Sequence, residues 1–265
     1  METINIQGVP ETMLQTLYAR AAYSKKKNHK FYDEKSMEIV SRIDYDFTNA
    51  AKDSTMSDGV IARTILLDRM VGDFIKENPE TTVINIACGM DTRVYRVDNG
   101  KVHWYNIDLP ETIAVRERFL NESDRICMIA KSAMDESWAE VVGKQKGKVL
   151  VIIEGLTMYL TEADVKQILE IVDKHFDDVE VIMETMNPFV VKHVKEKSIE
   201  ASRAKFSWGI SSGKEVEKIA PSFQWIKDVS LTEGMKVMYP AYGLIGWIPA
   251  VQNIANRLVV LRKGM

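Results

Sequence analysis

The sequence predicts one α/β domain with a mostly parallel sheet that helices cover on both faces. Five short apolar runs rich in β-branched residues follow one another, and helical or polar stretches separate them. Parallel strands require such crossover connections, so this alternation favours a parallel sheet. With 265 residues, the chain is long enough for one such domain with additional segments. The predicted strands are 82–87, 102–107, 126–130, 149–153 and 179–183.

The first 80 residues predict a helical cap that precedes the sheet. Apolar residues recur at helical spacing from about residue 57 to residue 78, and Pro79 ends this pattern. Asp33 is a start signal for an earlier helix. Later in the chain, Thr161 and Asp164 form a capping-box signal for a helix over 162–175, and Pro110 lies at a helix start.

The pattern loosens after the fifth predicted strand. Residues 81–185 form the predicted core, and residues 186–235 are assigned to an insertion or lid. A helical, mixed-charge segment is expected from Asn187 to about Lys205. C-terminal strands are expected within 236–265, with the last one over 257–262.

Composition excludes several classes of protein. Lys plus Arg number 35 against 38 for Asp plus Glu, a balance that disfavours general nucleic-acid binding. Cys88 and Cys127 form no CxxC pair, and the four histidines are scattered, so neither a disulfide framework nor a metal site is expected. No secretion signal and no membrane-spanning run are recognisable, which favours a cytoplasmic protein that does not bind membranes.

Ligands of open α/β sheets bind at the carboxyl ends of the strands, where this sequence has acidic side chains. Asp108 ends the second predicted strand, about 20 residues past a glycine turn, and suits the two hydroxyls of a ribose. The alternative is an N-cap for the helix that begins at Pro110. Glu154 ends a fully apolar strand, where an acid needs a partner, either a ligand ammonium or a structural arginine.

The glycine turn distinguishes between possible cofactors. Dinucleotide sites use G-x-G-x-x-G, whereas residues 87–92 read ACGMDT, with one glycine and an acid. This turn disfavours a phosphate-bearing ligand such as NAD. It suits S-adenosylmethionine, whose amino-acid end carries an ammonium, a carboxylate and a sulfonium.

Four stretches of the sequence together form a recognisable pattern. The run NIACGMDTRVYR at 85–96 resembles an N-L-G-x-G-x-D-T-R-x-x-R signature, with Ala87 in place of the first glycine. NIDLPE at 106–111 and EGLTMYL at 154–160 resemble D-L-P-E and E-G-x-x-x-Y-L elements, and LYARA at 17–21 with IDYDF at 43–47 resembles an N-terminal cap. With these stretches the chain resembles the leucine carboxyl methyltransferase family, and more narrowly its tetracenomycin-type O-methyltransferase branch.

This resemblance implies a class I methyltransferase-like (Rossmann-like) fold and S-adenosylmethionine-dependent methyl transfer to oxygen. It also implies roles for particular residues: Arg63 for the methionine carboxylate, Glu154 for the amino-acid end and Arg20 on the cap facing the cofactor. For Arg63, a solvated helix position is the alternative. The cofactor-binding residues expected in full are Arg20, Arg63, Ala87, Gly89, Asp108, Leu109, Ser132, Ala133 and Glu154.

The acceptor is expected to be a carboxylate or an acidic hydroxyl of a small molecule. No convincing general base is recognisable in the cap or the insertion, and an ionised oxygen requires none. The catalytic residues stay unassigned, with Tyr18 and Tyr159 as candidates for the acceptor pocket. For Tyr159, a position in the core is the alternative. Rival interpretations are a catalytically inactive binding or scaffold protein, a protein C-terminal carboxyl methyltransferase and a nicotinamide-dependent dehydrogenase.

Overall fold

A seven-stranded sheet forms the centre of the molecule. The computed structural model describes residues 2–4, 12–145, 147–193, 205–245, 248 and 255–264. The strands of the sheet are β3 (Thr82–Ile86), β4 (His103–Asp108), β5 (Ile126–Ala130), β6 (Val149–Ile153), β7 (Val179–Thr185), β8 (Gln224–Ser230) and β9 (Arg257–Lys263). A separate two-stranded parallel pair joins β1 (Glu2–Thr3) to β2 (Ile43–Asp44).

The order of the strands creates a switch point at β3. The sheet runs β5-β4-β3-β6-β7-β9-β8, and β3 pairs in parallel with β4 on one side and β6 on the other. β9 runs antiparallel to both of its neighbours, β7 and β8, whereas the pairings among β3, β4, β5, β6 and β7 are parallel. Because successive crossovers leave β3 in opposite directions, a crevice opens beyond its carboxyl end, which is where such sheets bind ligands.

Helices cover both faces of this sheet. In the described parts of the chain they are α1 (Thr12–Ser24), α2 (Glu34–Arg42), α3 (Thr48–Lys52), α4 (Ser54–Glu77), α5 (Val94–Val97), α6 (Pro110–Arg116), α7 (Ser137–Val142), α8 (Glu162–His175), α9 (Pro188–His193), α10 (Val216–Ile219), α11 (Thr232–Met238) and α12 (Tyr242–Ile245). Short 3₁₀ turns lie at Thr157–Tyr159 and Gly213–Glu215. No helix among the described residues is long and apolar enough to cross a membrane.

Two apolar layers hold the helices to the sheet. On one face α7 and α8 pack around Trp138 and Phe176, and on the other α4 packs Leu67 and Phe74 against Trp104. β3 and β6 are buried at every position. Strands buried on both faces read as continuous apolar runs, which is why the sequence reveals them.

Local signals set the helix starts that the sequence predicts. The Thr161 side chain accepts from the Asp164 backbone N–H, and the Asp164 side chain accepts from the Thr161 backbone N–H, which completes the capping box of α8. The Asp33 side chain caps α2 by accepting from the Ser36 backbone N–H. α4 begins at Ser54, three residues before the predicted start, because Asp53 caps it.

The C-terminal region differs from the sequence-based expectation. β8 lies inside 186–235, the segment assigned to an insertion, and pairs along its length with β9. A register shift between Trp225 and Lys227 interrupts its alternation, so the sequence carries no period-two signal there. The described part of 236–265 holds one strand, β9, together with the end of α11 and α12. Of the helical segment expected over 187–205, α9 is described, and residues 194–204 lie outside the described residues.

Candidate active site

A cavity of about 300 Å³ opens at the carboxyl ends of β3, β4, β5 and β6, with α1 and α4 on its cap side. All nine residues that the sequence analysis assigned to a cofactor line this one cavity, and Tyr159 lines it as well. The wall also includes residues that sequence reasoning did not assign: Thr12, Met13, Thr16, Asn85, Cys88, Met90, Asp91, Thr112, Met134, Gly155, Leu156 and Leu160.

Asp108 lies at the floor of the cavity and is tied to the glycine turn. Its Oδ2 accepts from the Gly89 backbone N–H at 2.7 Å, and its Oδ1 accepts from the Leu109 backbone N–H at 2.7 Å. The N-cap position of α6 belongs to Leu109, so the capping alternative for Asp108 does not describe this structure. A carboxylate has about four acceptor positions, which leaves capacity for ligand hydroxyls. Burial raises the pKa of Asp108.

The glycine turn follows β3 and adopts a left-handed backbone at two positions. Gly89 has φ +47° and Ala87 has φ +54°, an uncommon conformation for a residue with a Cβ. Two buried arginines hold the turn. Arg116 donates to the Gly89 carbonyl at 2.9 Å, and Arg20 of α1 donates to the Met90 carbonyl at 2.7 Å.

Arg20 therefore stands in the cavity wall with its guanidinium already engaged. Besides the Met90 carbonyl, it binds Asp33 at 3.1 Å, which joins α1 to the start of α2. Burial alone would raise the pKa of Asp33, but Arg96 and Arg20 hold it below its ordinary value. In this structure Arg20 orders the cap and the turn.

Arg63 of α4 lies between two glutamates at the opposite end of the cavity. Its Nε donates to Glu154 Oε1 at 2.6 Å and its Nη1 donates to Glu184 Oε2 at 2.7 Å. The guanidinium packs over Gly155, where an added Cβ would lie 3.5 Å from Nη1. Burial alone would lower the pKa of Arg63, but Glu184 and Glu154 raise it. Nη2 remains the guanidinium nitrogen best placed to take a further acceptor, because the other two are engaged.

Glu154 accepts from two arginines rather than one. Its Oε2 accepts from Arg93 Nη2 at 2.7 Å, while Oε1 accepts from Arg63. Burial alone would raise the pKa of Glu154, but Arg63 and Arg93 lower it, so this carboxylate is ionised. Of the two partners left open by the sequence, the structure shows the arginines.

Arg93 is 1% exposed and anchors the start of α5. It donates to Asp91 at 2.7 Å and to Asp68 at 2.9 Å, and its backbone N–H donates to Asp91 Oδ1 at 2.9 Å. Arg96 joins the same cluster through Asp68 at 2.6 Å. A continuous set of buried ion pairs thus links the cap to the ends of β3 and β6.

The remaining predicted residues form the side of the cavity beyond Asp108. Leu109 is 36% exposed, and Ser132 and Ala133 lie in the loop after β5. The Ser132 side chain accepts from the Met134 backbone N–H at 3.3 Å, and the Ala133 carbonyl accepts from Trp138 Nε1 at 3.0 Å. These bonds hold the loop and leave an apolar surface of Leu109, Ala133 and Met134 toward the cavity.

A second cavity of about 130 Å³ adjoins the first. The two share Thr12, Thr16, Arg63, Gly155 and Tyr159 as lining residues. Tyr159 packs at 5.6 Å from Phe206, whereas the other acceptor-pocket candidate, Tyr18, stacks on Phe47 at 4.8 Å and lines neither cavity. The structure therefore places Tyr159 at the junction and Tyr18 in the cap.

Glu184 is the functional candidate that sequence reasoning missed. It is 1% exposed at the end of β7, where it binds Arg63 and accepts from the Gly155 backbone N–H at 2.9 Å. Its other oxygen accepts from Asn256 Nδ2 at 3.0 Å. Glu184 directly follows the buried apolar run 181–183, where an acid is costly unless it is paired, and this was the available signal.

Comparisons with known proteins agree on one family. The model of the leucine carboxyl methyltransferase family matches residues 12–173. The tetracenomycin polyketide synthesis O-methyltransferase TcmP of Streptomyces glaucescens is 34% identical over 237 residues, which cover 88% of this chain and 86% of TcmP. The S-adenosyl-L-methionine-dependent methyltransferase dpfgK of Gibberella zeae is 28% identical over 270 residues, covering 92% of this chain and 88% of dpfgK.

Solved structures of methyltransferases share the fold. Magnesium protoporphyrin IX methyltransferase ChlM of Synechocystis PCC 6803, solved with bound SAM, superposes with a TM-score of 0.52 at 9% identity, over 89% of this chain and 99% of ChlM. The plantazolicin methyltransferase BpumL superposes with a TM-score of 0.52 at 13% identity, over 97% of this chain and 98% of BpumL. At such identities these likenesses establish the class I architecture alone.

Proposed function

The chain belongs to the leucine carboxyl methyltransferase family, and from this premise we propose that it transfers the methyl group of S-adenosylmethionine to a carboxylate or acidic hydroxyl of a small molecule. The observation that carries the proposal is the single cavity around Asp108, Arg63 and Glu154. The cavity combines a carboxylate that can accept hydroxyl groups, an apolar wall, and both positively and negatively charged side chains.

The chemistry of these side chains fits S-adenosylmethionine. Asp108 offers a buried carboxylate suited to the two ribose hydroxyls. Leu109, Ala133 and Met134 offer an apolar surface for the adenine. Arg63 would take the methionine carboxylate through Nη2, and Glu154 would attract the ammonium.

When bound, S-adenosylmethionine supplies a methyl group that its sulfonium has already activated. The protein then needs mainly to hold the acceptor oxygen in line with the methyl and to exclude water, and such positioning supplies much of the rate. Arg63 and Gly155 lie at the junction of the two cavities, so they define where an acceptor oxygen approaches.

The junction favours an acceptor that is already ionised. Glu184 is the carboxylate in the lining of the second cavity, and Arg63, Gly155 and Asn256 all donate to it. Both oxygens of Glu184 therefore already accept hydrogen bonds, which leaves this carboxylate poorly placed to take a proton from an acceptor hydroxyl. A carboxylate or an acidic phenol needs no base at pH 7. The name of TcmP assigns it to tetracenomycin polyketide synthesis, which supports a small-molecule acceptor for this chain as well.

A cytoplasmic location completes the proposal. Cys88 and Cys127 are both free thiols, as expected in a reducing compartment. Burial raises the pKa of the Cys88 thiol, which makes this cysteine an inert part of the cavity wall rather than a nucleophile.

The test is a calorimetric titration of the protein with S-adenosylmethionine and with S-adenosylhomocysteine. We expect binding of both, and a loss of about 10- to 100-fold in Asp108→Asn, since a hydrogen bond to a charged group is worth about 1.5–3 kcal/mol. Asp98→Asn is the matched control, because Asp98 pairs with Arg125 away from the cavity. Absence of binding to the unaltered protein would refute the proposal and favour a binding or scaffold protein.

A further inference from the structure

The second cavity has a composition that differs from that of the first. Met56, Val60, Met158, Met186, Phe206 and Leu231 provide most of its apolar lining. The charged side chains that line it, among the described residues, are Arg63 and Glu184, and these pair with each other at 2.7 Å. A ligand in this space therefore meets apolar side chains and an ion pair that is already neutralised. The cavity is also lined by uncharged polar side chains, those of Thr12, Gln15, Thr16, Thr55, Tyr159 and Asn256.

The volume of the second cavity limits what can enter it. It measures about 130 Å³. For comparison, a dry apolar cavity of about 150 Å³ accepts one benzene molecule. The space therefore suits a single six-membered ring, with polar substituents directed toward the junction at Tyr159 and Arg63.

Gly59 creates part of this space. It lies in α4 and lines the second cavity, and a Cβ added to it would meet nothing within 4 Å. Glycine in a helix interior lowers stability by about 1 kcal/mol relative to alanine, so Gly59 is not the residue that helix stability alone would favour at this position. Gly72 provides a comparison, since it lies in the same helix, also has open space at its Cβ, and lines neither cavity.

We propose that the second cavity binds an apolar ring of the methyl acceptor and that Gly59 is the residue that sets the size of the ring admitted. The reacting oxygen of the acceptor lies at the junction beside Tyr159, and its ring lies against Met56 and Phe206. This inference rests on the proposed function, because it names the acceptor class for the same site.

The experiment compares Gly59→Leu with Gly72→Leu. Both replace a helix glycine by a good helix former, so thermal melts should show both variants folded and at least as stable as the unaltered protein. A leucine side chain at position 59 projects into the second cavity and removes the room for a ring, whereas one at position 72 does not reach it.

Saturation-transfer NMR with benzoate, on protein loaded with S-adenosylhomocysteine, reads out the occupancy of the cavity. We expect binding to the unaltered protein and to Gly72→Leu, and a loss of about tenfold in affinity for Gly59→Leu. Calorimetry should show S-adenosylhomocysteine binding unchanged in both variants.

The outcomes separate the two proposals. If S-adenosylhomocysteine binds but benzoate does not, or if Gly59→Leu binds benzoate as well as Gly72→Leu does, the acceptor inference is overturned while the proposed function stands. If the unaltered protein binds no S-adenosylhomocysteine, the proposed function fails, and the acceptor inference fails with it.

Discussion

Ala87 provides a sharp test of the cofactor turn. Among the described residues other than glycine, Ala87 is the one with a positive φ, at +54°. The family signature has a glycine at this position, and the backbone of Ala87 adopts the conformation for which glycine is suited. Replacing Ala87 by Gly should therefore relieve a backbone strain without removing any hydrogen bond.

The size of the effect follows from two opposing terms. A left-handed conformation costs an L-residue about 1–2 kcal/mol. Glycine, in turn, makes the unfolded chain more flexible and so lowers stability by about 0.4–1 kcal/mol relative to alanine. The difference predicts that Ala87→Gly raises the free energy of unfolding by about 0.5–1 kcal/mol. For a chain of this size, this corresponds to a rise in Tm of about 1–4 °C.

Ala114→Gly is the matched control, since it makes the same chemical change at an exposed position within α6. There we expect a loss of about 1 kcal/mol, because glycine is a poor helix former. Urea unfolding of both variants measures the two values. A loss of stability in Ala87→Gly comparable to that in Ala114→Gly would mean that the backbone of Ala87 carries no strain, and the prediction would be wrong.

Three further predictions concern the buried charges. Glu184→Gln removes one of the two carboxylates bound to Arg63, so urea unfolding should show that the free energy of unfolding falls by about 1–3 kcal/mol. This is less than the full cost of an unpaired buried charge, because Glu154 still pairs with Arg63. Unchanged stability would contradict the prediction. Burial raises the pKa of Asp108, and the ionised carboxylate is the form that would accept two ribose hydroxyls. The affinity for S-adenosylmethionine, measured by calorimetry, should therefore rise as the pH increases through that pKa. An affinity that does not change with pH would count against the ribose role. Burial alone would raise the pKa of Asp91, but Arg93 and other arginines lower it to about 2. The stability that ionised Asp91 contributes is therefore present above about pH 4 and is lost as the pH falls from about 4 toward 2. Equal urea midpoints at pH 5 and pH 2.5 would disprove this prediction.

The sheet was largely predictable from the sequence because its strands are buried on both faces. The predicted strands 126–130 and 149–153 coincide with β5 and β6, and the helix 162–175 coincides with α8. Continuous apolar runs and capping residues are local signals, so they require no knowledge of the partner elements. β8 escaped prediction because it is an edge strand with a bulge and only one neighbour in the sheet.

The residues alone indicated the candidate site where an acid follows a strand directly, whereas the helix positions Arg20 and Arg63 were expected from the family resemblance. Asp108 and Glu154 come at strand ends, and parallel topology brings such ends to one edge. Glu184 was missed because its partner Arg63 lies 121 residues away along the chain. Tyr18, a candidate for the acceptor pocket, lines neither cavity and stacks on Phe47 within the cap, a contact that no local sequence signal indicates.

Local sequence patterns predict most of the strands and helices, and they show a turn at 87–92 that departs from G-x-G-x-x-G and acids at the strand ends. These are properties of short segments, set by burial and backbone propensity. The tertiary structure alone decided that Arg63 and Arg93 share Glu154, that the Ala87 turn is held from two sides by Arg20 and Arg116, and that Gly59 opens a second cavity. Buried charges take partners from whichever elements the fold brings within about 3 Å, and this distance depends on the packing of the whole chain.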